Sequence, residues 1–182
     1  MSEPVPRSPD AATEVDAYVA SLLEALGSRD PLEVLAETPA ALCRAVAGLT
    51  AVQDGIPERP GKWAVRHVVR HLADSELVGA YRFRMVLAHE SPELPSYDQD
   101  LWAEKLAYGD ADLATAISEF SAFRHANLRI LRGTSASDLG RVMLHRERGA
   151  EALGDTMRFF AGHDLVHLRQ IARIRQAIGA SA

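Results

Sequence analysis

The sequence is poor in features that would point to a membrane, to secretion or to a nucleic-acid partner. It holds one cysteine, Cys43, so neither an intramolecular disulfide nor a cysteine-based zinc site can form. No apolar run approaches the roughly 18 residues that a membrane-spanning helix needs. The formal net charge of -5 argues against a nucleic-acid-binding surface, which is normally basic. We therefore expect a small-molecule substrate, with no nucleic-acid or membrane partner.

The N-terminal segment MSEPVPRSPDAAT is polar and rich in proline, and it lacks the apolar core of a signal peptide. Together with the scarcity of cysteine, this predicts a cytoplasmic protein. Residues 1–9 are expected to form a flexible tail. Residues 10–180 are expected to form a single domain, because a chain of 182 residues can bury one sizeable core.

Helical periodicity dominates the chain, and strand-like alternation is nearly absent. A hydrophobic fraction of 47% is ordinary for a globular protein. Four long amphipathic helices joined partly by a long crossover predict an all-α fold, an antiparallel four-helix bundle with short extra helices. The long helices are predicted at about 11–27, 63–90, 110–132 and 150–178.

The segments between these helices differ in character. After the first long helix, one or two short helices are expected up to about Ala47. An interruption is expected around Thr38-Pro39, because proline lacks the N–H that a helical hydrogen bond requires. The other connections are a loop at 50–62, a long crossover at 91–109, and an irregular segment at 134–149 with a short extended piece at Arg141–His145. Connections as long as the crossover are often functional.

Two histidines in the segment GHDLVHLRQIARIR, His163 and His167, stand four residues apart. On a helix this spacing places both on one face. A projection at about 100° per residue puts them in the middle of the apolar stripe that carries Ile171 and Ile174. Burying an imidazole without a bonding partner costs about 1–3 kcal/mol, so we expect a partner or a function that compensates for the burial of this pair. Packing histidines, a pH-sensitive pair and two metal ligands are all open, and the metal is favoured.

A third ligand is expected from the second long helix, where HVVRHLADSE again spaces two histidines four apart. With Leu72 at the centre of the apolar stripe, His71 lies about 100° away and His67 about 140° away. His71 therefore borders the core and is the better candidate. Asp74 and Ser75, just beyond His71, are candidates for an oxygen ligand or a supporting contact.

The remaining polar residues of interest have structural interpretations. Glu76 falls on the apolar stripe and is predicted to form a salt bridge with an arginine of another helix. Three other histidines, His89, His125 and His145, are predicted to be surface or structural residues. Cys43 stands at helical spacing among apolar residues, so we expect it in the core.

Four segments, in their order and spacing, resemble the DinB-like (DinB/YfiT-type) superfamily of metal-dependent hydrolases over about residues 14–178. They are PGKWAVRHVVRHLADSE, SYDQDLWAEKLAY, LHRERGAEALGDTMRFF and GHDLVHLRQI. The resemblance implies an up-down-down-up bundle with one divalent metal, held by His71, His163 and His167. It also implies that Gln170 packs near this site or supports it. Dimerisation is plausible for such a family, although the sequence shows no clear interface stripe.

Three neutral imidazoles would leave a metal its full charge, which acidifies a bound water toward a pKa near 7 or favours a bound thiolate. The resemblance accordingly implies a hydrolase or a transferase that uses an external low-molecular-weight thiol. Imidazole ligands do not identify the metal; zinc is predicted, with nickel as the main alternative.

The crossover is expected to cover the open end of the bundle and to supply pocket residues. The pocket candidates are Trp63, Tyr97, Asp98 and Trp102, with packing favoured for the two tryptophans. The alternative to an enzyme is a helical bundle whose metal or histidine cluster is structural or sensory. A fourth protein ligand, such as Asp74 or Glu76, would close the site and favour that alternative.

Overall fold

The structure, a computed structural model, describes residues 9–180, which contain seven α-helices, three short strands and two 3-10 turns, Gln53–Gly55 and Tyr108–Asp110. The helices are α1 (Pro9–Leu26), α2 (Pro31–Val46), α3 (Val65–Ala88), α4 (Gln99–Lys105), α5 (Leu113–Leu131), α6 (Ala136–Leu139) and α7 (Leu153–Ala177). The strands are β1 (Glu93–Leu94), β2 (Val142–His145) and β3 (Gly149–Ala152). The tail predicted at residues 1–9 lies outside the described residues, except that Pro9 begins α1.

Four helices, α2, α3, α5 and α7, pack in a closed ring in which each contacts two neighbours. Helices α3 and α5 are parallel, because Arg70 and Arg84 of α3 bond Glu119 and Asn127 of α5 in the same order. Helices α2 and α7 run the opposite way. The predicted up-down-down-up four-helix bundle is confirmed.

The first helix of the bundle, however, is α2 rather than the helix predicted at 11–27. That helix, α1, packs against α7 outside the ring. Its closest approach is at Gly162, where a Cβ would stand 2.2 Å from the carbonyl oxygen of Leu22. The absent side chain therefore lets the backbone of α1 lie directly against α7.

Helix α2 is unbroken, so the interruption predicted at Thr38-Pro39 is wrong. Asp30 caps its N-terminus by accepting from the Glu33 N–H, and Pro39 lies inside the helix. Proline has no N–H for the carbonyl oxygen of Leu35, four residues earlier. That oxygen accepts instead from Nη1 of Arg124 on α5, at 2.8 Å.

The same arginine joins all four helices of the bundle. Nη2 of Arg124 lies 2.6 Å from Glu76 on α3, and Nη1 lies 2.7 Å from Asp164 on α7. Asn127 adds a hydrogen bond to Glu76 at 2.7 Å. The salt bridge predicted for Glu76 is confirmed, and its partner is a fully buried cation.

These polar residues form a layer between two apolar clusters. On α3, Phe83 and Val86 belong to one cluster and Val65–Ala73 supplies the other, with the buried carboxylate of Glu76 between them. The same order recurs along α7, where Phe160 and Ile171 lie on either side of the histidine pair. The layer between the two apolar clusters thus holds the charged network of Arg124, and it also contains the predicted site.

A small sheet closes one end of the crossover. Strand β1 pairs in parallel with β2, and β2 pairs antiparallel with β3, so that Glu93 faces Leu144 and Val142 faces Ala152. The extended piece predicted at Arg141–His145 corresponds to β2, whereas β1 and β3 were not predicted.

Cys43 is exposed on α2, contrary to its predicted place in the core, because the buried face of α2 runs through Val34, Leu35, Leu42 and Val46. Within residues 9–180, no helix is both long and apolar enough to cross a membrane.

Candidate metal centre

Three buried imidazoles converge between α3 and α7. Nε2 of His163 lies 3.1 Å from Nε2 of His71 and 3.1 Å from Nε2 of His167. His71 is only 2% exposed, His163 6% and His167 8%. The structure therefore brings together the three residues that were predicted as metal ligands.

The donor set fits one divalent ion. Three imidazole nitrogens at 2.0–2.1 Å from a tetrahedral ion stand about 3.3–3.4 Å from one another, close to the separations found here. No carboxylate or cysteine joins the cluster among residues 14–180, whose side chains the structure describes. Three donors without a fourth are typical of sites that keep one coordination position for an exogenous ligand.

Burial keeps the three rings uncharged. It lowers the pKa of His71 and of His163 well below the ordinary 6.5, and a positive charge on a neighbouring ring would lower both further. Burial also lowers the pKa of His167 to about 4. At neutral pH each ring therefore carries one nitrogen lone pair, which is the form that binds a metal.

Gln170 determines which nitrogen of His167 carries the proton. Its Oε1 lies 2.8 Å from Nδ1 of His167, where an amide oxygen can only accept. Nδ1 is therefore the donor, and the lone pair of Nε2 faces the other two imidazoles. The expected support from Gln170 is thus visible as a hydrogen bond.

The rest of the surroundings of His71 comes from the loop before α3 and from the crossover. The ring of Trp63 packs on His71, with 5.1 Å between ring centres. Ser75 places its Oγ 3.4 Å from Nε2 of His71 and 3.0 Å from the hydroxyl of Tyr97. Trp102 packs behind Tyr97, with ring centres 4.4 Å apart. The crossover therefore reaches the cluster through Tyr97.

Neither acidic candidate for a fourth ligand is available. Asp74 accepts a hydrogen bond from the Tyr108 hydroxyl at 2.6 Å and pairs with Arg70. Burial and this carboxylate raise the pKa of Tyr108 far above its usual range, so the phenol stays a donor. Glu76 is paired with Arg124. Both carboxylates thus serve the bundle rather than the histidine cluster.

Two cavities flank the cluster. One, of about 310 Å3, is lined by His71 and His163 together with Ser75, Tyr97 and Asp98. The other, of about 490 Å3, is lined by His167, Gln170 and Trp63. Tyr18 and Gln99 line both cavities. Because each cavity is also lined by at least one of the three histidines, a molecule in either one lies next to an imidazole.

Sequence reasoning missed several residues of the smaller cavity. His145 lies on β2, where its buried Nδ1 accepts from the backbone N–H groups of Glu147 and Arg148. The guanidinium of Arg148 stands 4.3 Å over the ring of Phe159. Arg82 of α3 also lines this cavity. No local pattern marks these residues, because the sheet and the crossover bring them to the site.

The other histidines stay outside the cluster. His67 is half-buried one turn before His71, and burial lowers its pKa. His89 caps the C-terminal end of α3, and His125 lies on α5; both are exposed. The choice of His71 over His67 made by the helical projection agrees with their positions.

A helical bundle with three uncharged imidazoles meeting in its core defines a class of protein built to hold a divalent metal between helices. The comparison with known families agrees with this class. The model of the DinB superfamily matches residues 34–171, and the chain belongs to that superfamily.

Two relatives are presumed metal-dependent hydrolases by name. A protein of Oceanobacillus iheyensis is 30% identical over 138 residues, covering 76% of this chain and 80% of the relative. YfiT of Bacillus subtilis is 29% identical over 151 residues, covering 82% and 85%. The solved structure of YfiT, described as an unusual four-helix bundle, superposes with a TM-score of 0.77 at 25% identity. The superposition covers 100% of this chain and 95% of YfiT.

Proposed function

We propose that this protein is a metal-dependent enzyme whose ligands His71, His163 and His167 hold one divalent ion. The observation that carries the proposal is the convergence of three buried, uncharged imidazoles that no carboxylate joins. The three imidazoles would hold an ion whose charge would lower the pKa of a bound water or thiol and so provide a nucleophile at neutral pH. The reaction is then hydrolysis or the transfer of an external low-molecular-weight thiol, with zinc as the first choice of metal and nickel as the second.

The residues around the cluster hold the imidazoles in place. Gln170 sets the tautomer of His167, and Trp63 covers one side of the His71 ring. Such supporting contacts typically matter 10–100-fold for metal affinity (an order-of-magnitude range). The buried salt bridge from Arg124 to Asp164 anchors α7 at the residue next to His163.

The smaller cavity is suited to a small-molecule substrate. Its volume of about 310 Å3 lies at the lower end of the range for ligand pockets. Burial raises the pKa of Tyr97, so its hydroxyl remains protonated at neutral pH. Because Tyr97 and Ser75 are hydrogen-bonded to each other, one hydroxyl proton of the pair remains to donate to an oxygen of the substrate close to the imidazoles.

Metal analysis of protein purified without a histidine tag tests the proposal directly. We expect about one zinc or nickel ion per chain in the unaltered protein, none in His163→Ala, and an unchanged content in the control His125→Ala, whose side chain is exposed. Absence of stoichiometric metal, together with unchanged stability of His163→Ala, contradicts the proposal.

Activity assays then separate the two reactions from the alternative of a structural or sensory site. A panel of small esters and amides tests hydrolysis, and an electrophile offered with each of several low-molecular-weight thiols tests transfer. A protein that binds metal but turns over none of these substrates, and whose metal spectrum shows four protein ligands, has a structural or sensory site.

A further inference from the structure

The cavity beside His71 and His163 has a buried cation in its wall that forms no salt bridge with any residue the structure describes. Arg82 of α3 is 5% exposed and lines this cavity. Its Nη2 donates to the carbonyl oxygen of Pro95 at 3.2 Å, and its Nε has no hydrogen-bond partner among the described residues. A guanidinium has five N–H donors, so most of its capacity is unused.

A comparison with Arg124, another buried arginine of the bundle, shows the difference that a salt bridge makes. Arg124 is paired with two carboxylates, and these raise its pKa above the ordinary range although it is fully buried. Arg82 has no such pair, and burial lowers its pKa to about 10. A buried charge is costly unless something compensates it, so an unpaired arginine at a cavity wall indicates an anionic ligand.

The other charged residues of the cavity are already engaged or lie at its rim. Arg148 bonds Glu151 at 2.8 Å. The carboxylate of Asp98 accepts two backbone N–H bonds at the start of α4. Glu147 is exposed. Glu151 and Glu147 lie near enough to favour the charged form of Arg82, but neither forms a salt bridge with it among the described residues. Arg82 therefore keeps hydrogen-bonding capacity for an anion.

We propose that Arg82 binds the carboxylate group of the substrate, so that the enzyme acts on small organic monocarboxylates. This inference rests on the proposed function, because it places the substrate in the cavity beside the imidazoles. The planar fork of a guanidinium matches a carboxylate with two parallel hydrogen bonds. A phosphate dianion would call for a second free cation, and Arg148 is occupied.

The remainder of the cavity wall suits the hydrocarbon part of such a molecule. Val78, Phe159 and Phe160 supply apolar surface, whereas the hydroxyls of Ser75 and Tyr97 lie on the side of the imidazoles. A carboxylate held at Arg82 thus directs the rest of the substrate toward His71 and His163.

The test measures ligand binding to the metal-free protein, so it does not depend on turnover. The probes are benzoate, its uncharged analogue benzamide, and inorganic phosphate, each followed by calorimetric titration. We expect benzoate to bind at least about tenfold more tightly than benzamide, and Arg82→Gln to remove that difference. Arg84→Gln is the matched control, because Arg84 is an exposed arginine on the same helix; it should leave benzoate binding unchanged.

A second measurement covers the case in which Arg82→Gln does not fold. In the unaltered protein, the Nε–H signal of Arg82 in a nitrogen-proton correlation spectrum should move on addition of benzoate and stay still with benzamide. Equal binding of benzoate and benzamide, no binding of benzoate at millimolar concentration, or tighter binding of phosphate overturns the inference. Metal content is measured separately, so a protein without metal that still binds benzoate through Arg82 contradicts only the proposed enzyme.

Discussion

Acid should destabilise the metal-free protein at a pH well above the ordinary pKa of a carboxyl group. The ordinary pKa of histidine is 6.5, whereas burial lowers the pKa of His167 to about 4 and the pKa values of His71 and His163 well below 6.5. The unfolded chain therefore binds protons that the folded chain does not, and stability falls as the pH falls. Each ring contributes a loss of about 1.4 kcal/mol between pH 7.5 and 5.5, or about 4 kcal/mol for three.

Such a loss is a large part of the 5–15 kcal/mol that typically stabilises a domain (an order-of-magnitude range). Urea denaturation of chelator-treated protein at pH 7.5, 6.5 and 5.5, followed by circular dichroism, measures it. His163→Gln should reduce the pH dependence by about a third, since one of three buried rings is gone. The control His125→Gln, at an exposed position, should keep the full dependence. Equal stability of the unaltered protein at pH 7.5 and 5.5 would refute the reasoning.

Three further predictions concern packing, the buried charges and the support of the site. Gly162→Ala should cost about 2 kcal/mol or more in urea denaturation, because its Cβ would stand 2.2 Å from the Leu22 carbonyl oxygen. Gly154→Ala on the same helix, whose Cβ would meet its nearest atom at 3.4 Å, should be close to neutral; equal effects of the two changes contradict this. Arg124→Met should cost about 3–5 kcal/mol, since it leaves two buried carboxylates without a cation, and an unchanged unfolding midpoint contradicts this. Gln170→Ala should weaken zinc binding roughly 10–100-fold in competition with a chelator, and unaltered affinity means that the hydrogen bond does not support the metal.

The long helices were predictable because their pattern is local. Helices α3, α5 and α7 begin and end within three residues of their predicted bounds, since apolar residues at a 3.6-residue period must face one core. The meeting of His71 with the pair on α7 follows from the same rule, because apolar stripes pack against one another. Whether these histidines bind a metal stays a prediction.

Other parts of the molecule depend on partners that are distant in sequence. The helix through Pro39 is tolerated because an arginine on α5 bonds the carbonyl of Leu35, and nothing near Pro39 in the sequence shows this. The buried position of His145 depends on a sheet that joins the crossover to the start of α7. That Arg82 forms no salt bridge can be seen only from the neighbours that the fold places around it. Local sequence patterns contain none of this information.

The bond from Arg124 to the carbonyl oxygen of Leu35 also makes the residue choice at one position depend on the residue at another. Any residue other than proline at position 39 brings back an N–H that shares this oxygen with Arg124, because a carbonyl oxygen accepts two hydrogen bonds. Loss of Arg124 in turn leaves the oxygen buried without a donor as long as Pro39 is present. Related chains that lack the arginine are therefore expected to lack the proline, whereas the arginine does not require the proline. A proline at this position of one helix thus predicts an arginine on a neighbouring helix.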